Sequence, residues 1–209
     1  LSVYAQVETD EVLSTGDAAD DPAIWVSPNN PGLSLIFGTD KRAGLFSFDL
    51  QGKVVQRILA GRLNNVDLRP LREGPFSALV AASNRSTDSV SLFLVDEAGQ
   101  ATWIKTSEIA TGLDDPYGLC MHDDGDDLHV FVNDTDGRYQ QWQLDISAAP
   151  NIEEVSIGAD LAPAQDHRML QARVPAARRD SIAGRTGNCQ TWWIAGAGQG
   201  LGQHFRVFT

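Results

Sequence analysis

Short apolar runs alternate with turn-forming residues along most of the chain. Between residue 20 and about residue 158, runs such as "AIWV", "GLFSFDL" and "SVSLFLVD" are separated by gaps rich in Gly, Pro, Asn and Asp. No window of useful length shows the 3.6-residue period of an amphipathic helix. The pattern therefore predicts an all-β protein built from short strands.

Polar landmarks repeat along these strands at a nearly constant step. A polar pair precedes the first strand of each group and recurs at steps of 44 and 50 residues: Asp20-Asp21, Asn64-Asn65 and Asp114-Asp115. Two further series keep a similar spacing: Asp40, Asn84 and Asp134, then Asp49, Asp96 and Asp145. Repeats of about 40–50 residues with four short strands are typical of β-propeller blades. The sequence thus predicts three blades, each with four antiparallel strands.

The final segment departs from this pattern. Residues 160–209 contain no Lys and no polar pair in register with the earlier ones. We therefore expect a partial propeller over residues 1–159, opened by a strand within "SVYAQV", followed by a divergent tail over 160–209. The tail is either a genuine irregular end or a segment read in a shifted frame, and we favour the second. The start at Leu1, without Met or a signal peptide, indicates a mature product or a fragment.

Charge and composition restrict the classes of partner. The net charge is −12, and residues 1–159 carry 10 basic and 25 acidic side chains. Such an acidic body argues against nucleic acid and suits divalent cations with oxygen ligands. No apolar run approaches the 18 residues of a membrane span. Two cysteines are too few for a disulfide framework, and Cys120 is expected to be an inert core thiol.

The repeated pairs predict a cation site at one end of the blades. Carboxylates packed there would repel one another unless a cation neutralised them, and calcium takes six to eight oxygen ligands in flexible geometry. Asn64-Asn65 at the equivalent place fits a mixed cage of carboxylate and amide oxygens. The alternative is a set of solvated acidic residues.

Cations follow the second strand of two repeats. Lys41 and Arg85 occupy equivalent positions, with Arg42 beside the first, so we expect them to approach one another at the same rim. Several cations next to paired carboxylates favour the binding of an anion. The alternative is an ordinary surface salt bridge, which is common and weak.

Four ordered motifs carry a resemblance to a known family. "GDAADDPAIWV", "GTDKRAGLFSFDL", "GRLNNVDLR" and "AASNRS" resemble the β-propeller phytases over residues 8 to about 158. These are calcium-dependent enzymes that release phosphate from inositol hexakisphosphate, with six blades and calcium ions at the top of the channel. The resemblance implies that the chain is the N-terminal half of such an enzyme, with about three of six blades and an incomplete ring.

The resemblance also implies roles for particular residues. Those matched to calcium ligands are Glu8, Asp20 and Asp21, with Asn65 as a weaker candidate. Those matched to phosphate-binding positions, and therefore expected to be catalytic, are Lys41, Arg42, Arg85 and Tyr117. Thr135 stands where the family commonly has a third phosphate-binding lysine, and the family's remaining acidic residues have no counterpart in 160–209.

The expected function is calcium-dependent hydrolysis of phytate or other inositol phosphates in a secreted or periplasmic location. Three blades cannot close a ring, so we expect this chain alone to be poorly folded, dimerised or inactive. Two alternatives remain: a non-catalytic incomplete propeller that binds calcium or phosphorylated ligands, and a propeller that serves as an interaction scaffold.

Overall fold

The computed structural model describes residues 5–147, 153–156 and 206–208. Within these residues the chain contains β-strands, two short 3₁₀ helices and no α-helix, which confirms the all-β prediction there. The strands are β1 (Ala5–Glu8), β2 (Ala19–Trp25), β3 (Leu35–Asp40), β4 (Gly44–Phe48), β5 (Val54–Leu59), β6 (Leu63–Pro70), β7 (Ala78–Asn84), β8 (Ser89–Val95), β9 (Ala101–Trp103), β10 (Ile109–Ala110), β11 (Pro116–Asp123), β12 (Leu128–Asp134), β13 (Tyr139–Asp145), β14 (Glu153–Ser156) and β15 (Arg206–Phe208). No helix in the described part is long and apolar enough to cross a membrane.

Strands β2 to β14 form three antiparallel sheets in chain order. Sheet 1 has the order β2-β3-β4-β5, and sheet 3 has the order β11-β12-β13-β14. Sheet 2 has the order β10-β8-β7-β6, with β9 also paired to β8. The prediction of four strands is therefore wrong for sheet 2. Its outer strand is split into β9 and β10, because the 3₁₀ helix Lys105–Ser107 interrupts it.

The first and last described strands pair with each other. β1 runs antiparallel to β15, with Glu8 opposite Arg206. The strand expected within "SVYAQV" is thus present from Ala5 onward. The rest of the predicted tail lies outside the described residues.

The sheets stack face to face through two apolar layers. One layer lies between sheets 1 and 2 and includes Trp25, Phe37 and Phe93, all nearly inaccessible to water. The other lies between sheets 2 and 3 and includes Leu79 and Met121. This stacking places β6 against both β2 and β11, so the first strands of all three sheets are neighbours. We call the end where these strands begin the site end and the opposite one the distal end.

Each first strand carries the same irregularity at the site end. In each case the first strand advances by three residues while its partner strand advances by two. These shifts lie between Ala19 and Pro22, between Leu63 and Val66, and between Pro116 and Leu119. Such a β-bulge adds one residue and re-aims the side chains next to it. The residues inside the bulges are Asp20-Asp21, Asn64-Asn65 and Tyr117-Gly118.

The other repeated polar positions are turn caps. The side-chain oxygens of Asp40, Asn84 and Asp134 accept the backbone N–H two residues later, and Asp49, Asp96 and Asp145 do the same in the turns after the third strands. Asp40, Asn84 and Asp134 also form hydrogen bonds with the backbone of the segment that precedes the first strand of their own sheet. For example, Asp40 Oδ2 accepts the N–H of Ser14 at 2.9 Å. Two of the three polar series are therefore structural.

Candidate functional site

The bulge of sheet 1 presents two partly buried carboxylates at the site end. Asp21 Oδ2 accepts hydrogen bonds from Asn65 Nδ2 and from the N–H of Val66, both at 3.0 Å. Asp20 Oδ1 lies 3.0 Å from Lys41 Nζ. Both of these hydrogen bonds to Asp21 use the same carboxylate oxygen, Oδ2.

Burial shifts the titration of both carboxylates. Desolvation raises the pKa of Asp21 to about 6, although hydrogen bonds from Val66 and Asn65 oppose the shift. Desolvation also raises the pKa of Asp20, against the lowering effect of Lys41 and, more weakly, of the Arg85 charge. Two desolvated carboxylates side by side are stabilised by any cation that reaches them.

Lys41 and Arg42 extend this group from the turn after β3. Lys41 Nζ bridges Asp20 and Asp17, at 3.0 and 3.1 Å. Burial alone would lower the pKa of Lys41, but its hydrogen bonds to the two carboxylates raise it overall, so the ammonium stays charged. Arg42 is exposed and donates from Nη1 to the carbonyl oxygen of Thr15.

Arg85 occupies the equivalent turn of sheet 2 and reaches sheet 3. Its Nε and Nη2 form a two-pronged ion pair with Asp115, with Nη2 at 3.0 Å from Oδ2. Its guanidinium carbon lies 5.7 Å from the ring centre of Tyr117. Arg85 thus contacts Asp115 and Tyr117 at the site end of sheet 3, and its charge weakly opposes the raised pKa of Asp20 in sheet 1.

Asn64 and Asn65 complete the group from the bulge of sheet 2. Asn64 is 1% exposed and donates from Nδ2 to Asn65 Oδ1 at 2.8 Å. Its Oδ1 is buried and has no hydrogen-bond partner among the described residues. An orphaned amide oxygen costs free energy unless a ligand satisfies it. The oxygen donors of Asp20, Asp21 and Asn64 therefore fit a hard cation.

Two comparisons with known proteins bear on this arrangement. The family model described as Phytase matches residues 1–155. The 3-phytase of Bacillus subtilis strain 168 is 36% identical over 154 residues, which cover 69% of this chain and 40% of that protein. The chain belongs to the phytase family. It spans less than half the length of this relative.

The third copy departs from the equivalence of the polar pairs that the repeat spacing predicted. Its bulge holds Tyr117 and Gly118, whereas Asp114 and Asp115 stand before the strand, so the pairs are not equivalent in all three sheets. A Cβ at Gly118 would collide with the side chain of Asn133, which fills that space. The repeat spacing could not reveal this shift, because it shows only that Asp114 and Asp115 recur at the expected step. It does not show whether they lie inside the bulge or before the strand.

Arg138 is a cation close to Thr135 in the turn before β13. Thr135 is exposed and donates its hydroxyl to Asp134. Three residues later, Arg138 contacts three carboxylates at 2.7–3.1 Å: Asp114, Asp134 and Asp136. Sequence reasoning missed Arg138, since it stands outside the repeated register. The Asp-Gly turn directly before it is the signal that could have placed it at the start of β13.

Glu8 does not join the other predicted metal ligands. Its carbonyl group packs against Gly52, and the neighbouring Asp10 donates its N–H to the Gly52 carbonyl at 2.6 Å. Gly52 lies in the turn between β4 and β5, at the distal end, about 14 Å along β4 from the site end at ~3.4 Å per residue. We therefore leave Glu8 out of the site described above.

A second set of metal-capable side chains lies at the distal end of sheet 3. Asp124, Asp127 and His129 each offer one possible metal-ligand atom, and these three atoms lie within 4.8 Å of one another. His129 Nε2 faces Asp124 at 3.5 Å, and Gln143 donates to Asp127 at 2.6 Å. Burial alone would raise the pKa of Asp124, but backbone N–H donors and His129 lower it overall. This set is separate from the site-end group.

Proposed function

We propose that the chain is part of a calcium-dependent phytase: three blades of a β-propeller that hydrolyses phosphate monoesters of phytate. The observation that carries the proposal is the convergence of buried oxygen donors and cations at one end of three stacked sheets. Membership of the phytase family supports the substrate class. A six-bladed ring would need the length that this chain lacks relative to the B. subtilis 3-phytase.

In this proposal the cation is held by Asp20, Asp21 and the amide oxygen of Asn64, with Asn65 orienting Asp21. Calcium suits these donors because it takes carboxylate and amide oxygens in flexible geometry. When bound, calcium supplies charge neutralisation, a contact to phosphate oxygens and a water molecule of lowered pKa. The partner acidic ligands of a complete site lie outside this set.

The cationic side chains bind and orient the substrate phosphates. Lys41 acts as a compact point charge, whereas Arg85 offers a planar fork of donors that matches phosphate oxygens. Asp115 and the Tyr117 ring hold the guanidinium in place, which leaves its remaining N–H groups for the ligand. Arg42, exposed beside Lys41, adds a third positive charge at the rim.

A second candidate function is binding without turnover. The chain covers 40% of the relative's length, so the acid or base that completes hydrolysis can reside on the part it does not cover. This module would hold calcium and a phosphorylated ligand at the same site end. The two candidates share a site and differ only in catalysis.

The test measures phosphate release and calcium binding on the same purified 209-residue chain. Phosphate is assayed from phytate with calcium, with magnesium and with EGTA, and calcium affinity is measured by isothermal titration calorimetry. Calcium-dependent release supports the phytase. Calcium binding without release supports the binding module, and absence of both rejects the site.

Two matched arginine variants test whether phosphate release or phytate binding depends on the site end. Arg85→Ala is expected to reduce release, or phytate affinity where there is no release, by at least about tenfold, since a charge-assisted bidentate contact is worth more than about 1.4 kcal/mol. Arg72→Ala is the control, because Arg72 is an exposed arginine paired with Asp123 at the distal end. Equal losses in both variants would point to a nonspecific effect of charge.

A further inference from the structure

A chain of hydrogen bonds crosses all three sheets beneath the site. Thr39 Oγ1 accepts the N–H of Asp21 at 3.2 Å and donates to the carbonyl oxygen of Asn64 at 2.5 Å. Ser83 Oγ accepts the N–H of Asn65 at 3.1 Å and donates to the carbonyl oxygen of Tyr117 at 2.6 Å. Both hydroxyl groups therefore join the bulge of their own sheet to the bulge of the next.

One peptide group lies in the middle of this chain. The carbonyl of Asn64 and the N–H of Asn65 belong to the same peptide bond, so Thr39 and Ser83 bind its two ends. Hydrogen bonds linked in series polarise and strengthen one another in a low-dielectric interior. The three bulges are thus connected by a single continuous path.

A hydroxyl is the group that this position requires. The extra residue of a bulge leaves backbone N–H and C=O groups outside the ladder, and buried polar groups must find partners. Ser and Thr both accept and donate through one small atom. Thr39 and Ser83 are fully buried, and each stands one residue before the turn-capping Asp40 or Asn84.

We propose that Thr39 and Ser83 are positioning residues that set the spacing of the bulges, and through it the spacing of the ligand-binding side chains. Asp21, Asn64, Asn65 and Tyr117 all sit on the peptide groups that these hydroxyls bind. A metal or phosphate site tolerates displacements of only about 0.5 Å, so sliding of one bulge past the next weakens it. The inference rests on the proposed function for its calcium readout.

The test compares variants that remove the hydroxyl with variants that keep it. Thr39→Val and Ser83→Ala are expected to weaken calcium binding at least about tenfold, whereas Thr39→Ser and Ser83→Thr restore it to near the wild-type value. Ser47→Ala is the matched control, because the Ser47 hydroxyl is buried in β4 and has no hydrogen-bond partner among the described residues. Urea unfolding of each variant separates stability from binding.

A second readout does not depend on the proposed function. Amide hydrogen exchange at Asn65 is expected to accelerate in Thr39→Val, although Thr39 does not contact that N–H, because the shared peptide loses its carbonyl donor. If the wild-type chain binds no calcium, the proposed function fails, and exchange at Asn65 still decides whether the hydroxyls hold the bulges. Unchanged exchange at Asn65, or wild-type calcium affinity in Thr39→Val despite lower stability, overturns the inference.

Discussion

Burial and partners decide what each polar residue does at the site end. Asp21 lies among the strands, where desolvation keeps its pKa near 6, whereas Asp114 is exposed beside Arg138. The amide oxygen of Asn64 is buried and has no hydrogen-bond partner among the described residues. The same residue types therefore act as ligand candidates, surface charges or turn caps according to the groups around them.

Replacing Asp21 by Asn tests the effect of burial. Because the pKa of Asp21 is raised from 3.8 to about 6, the folded protein holds this proton more tightly than the unfolded chain. The stability that this adds is complete below pH 4 and is lost as pH rises through 6. Without calcium, Asp21→Asn should therefore raise the free energy of unfolding above pH 6, measured by urea denaturation across pH.

The control for this experiment is Asp126→Asn, an exposed residue of the acidic turn after β11. This variant should leave the pH profile of stability unchanged. With calcium present, Asp21→Asn should also bind the ion more weakly. A stability gain of the same size at pH 3 would contradict the assignment to ionisation.

A change from Arg85 to Lys tests geometry apart from charge. Lysine keeps the positive charge but loses the two-pronged contact with Asp115 and the planar face over Tyr117. Phytate affinity, measured by calorimetry, should fall about tenfold or more. Arg72→Lys at the distal end should change it little, and equal affinity in Arg85→Lys would mean that charge alone matters.

The repeated elements differ in what their irregularities accomplish. The bulges bring side chains toward one end, whereas the capping aspartates close the turns between strands. In the turn after β8, Asp96 Oδ1 accepts the N–H groups of Ala98 and Gln100, both at 2.9 Å. Function and stability are thus carried by separate features of each sheet.

Asp96→Ala should therefore reduce stability without affecting the site. Two backbone donors lose their acceptor, so the free energy of unfolding should fall by about 1–3 kcal/mol. Urea unfolding measures the loss, and Asp96→Asn, which retains an oxygen, should recover part of it. Calcium affinity should stay at the wild-type value in both variants, and a loss of affinity would contradict the separation.

The molecule as a whole combines a strongly acidic body with three stacked sheets. A net charge of −12 opposes compaction, and the desolvated carboxylates at the site end add to that cost. In the proposed function, a bound divalent cation would offset both effects at one place, and it would couple stability to ligand binding.

Calcium should raise the unfolding temperature of the chain. At a concentration 100 times the dissociation constant, the ion contributes about 2.7 kcal/mol. Differential scanning calorimetry with calcium, magnesium and NaCl at matched ionic strength distinguishes specific binding from screening of the net charge. An equal shift with NaCl would attribute the effect to screening.

The repeat could be found from sequence because the turn caps carry Asp or Asn at regular steps in all three sheets. For the same reason, sequence could not separate the capping Asp40 from the buried ligand candidate Asp21. Arg138 was missed since it lies outside the register, and Thr39 and Ser83 were missed because isolated hydroxyl residues form no pattern. Lys41 and Arg85 were expected at equivalent positions, and each lies in the turn after the second strand of its sheet.

The peptide between Asn64 and Asn65 accepts a bond from Thr39 of sheet 1 and donates a bond to Ser83 of its own sheet, and Ser83 in turn donates to sheet 3. Sheet 2 thus carries both the carbonyl that binds sheet 1 and the hydroxyl that binds sheet 3. Duplication of such a unit within a gene would copy these groups with it. The added sheet would then bond to its neighbours at the same height along the strands, without compensating mutations. Lengthening such an array by whole units is therefore far easier than inserting a single strand.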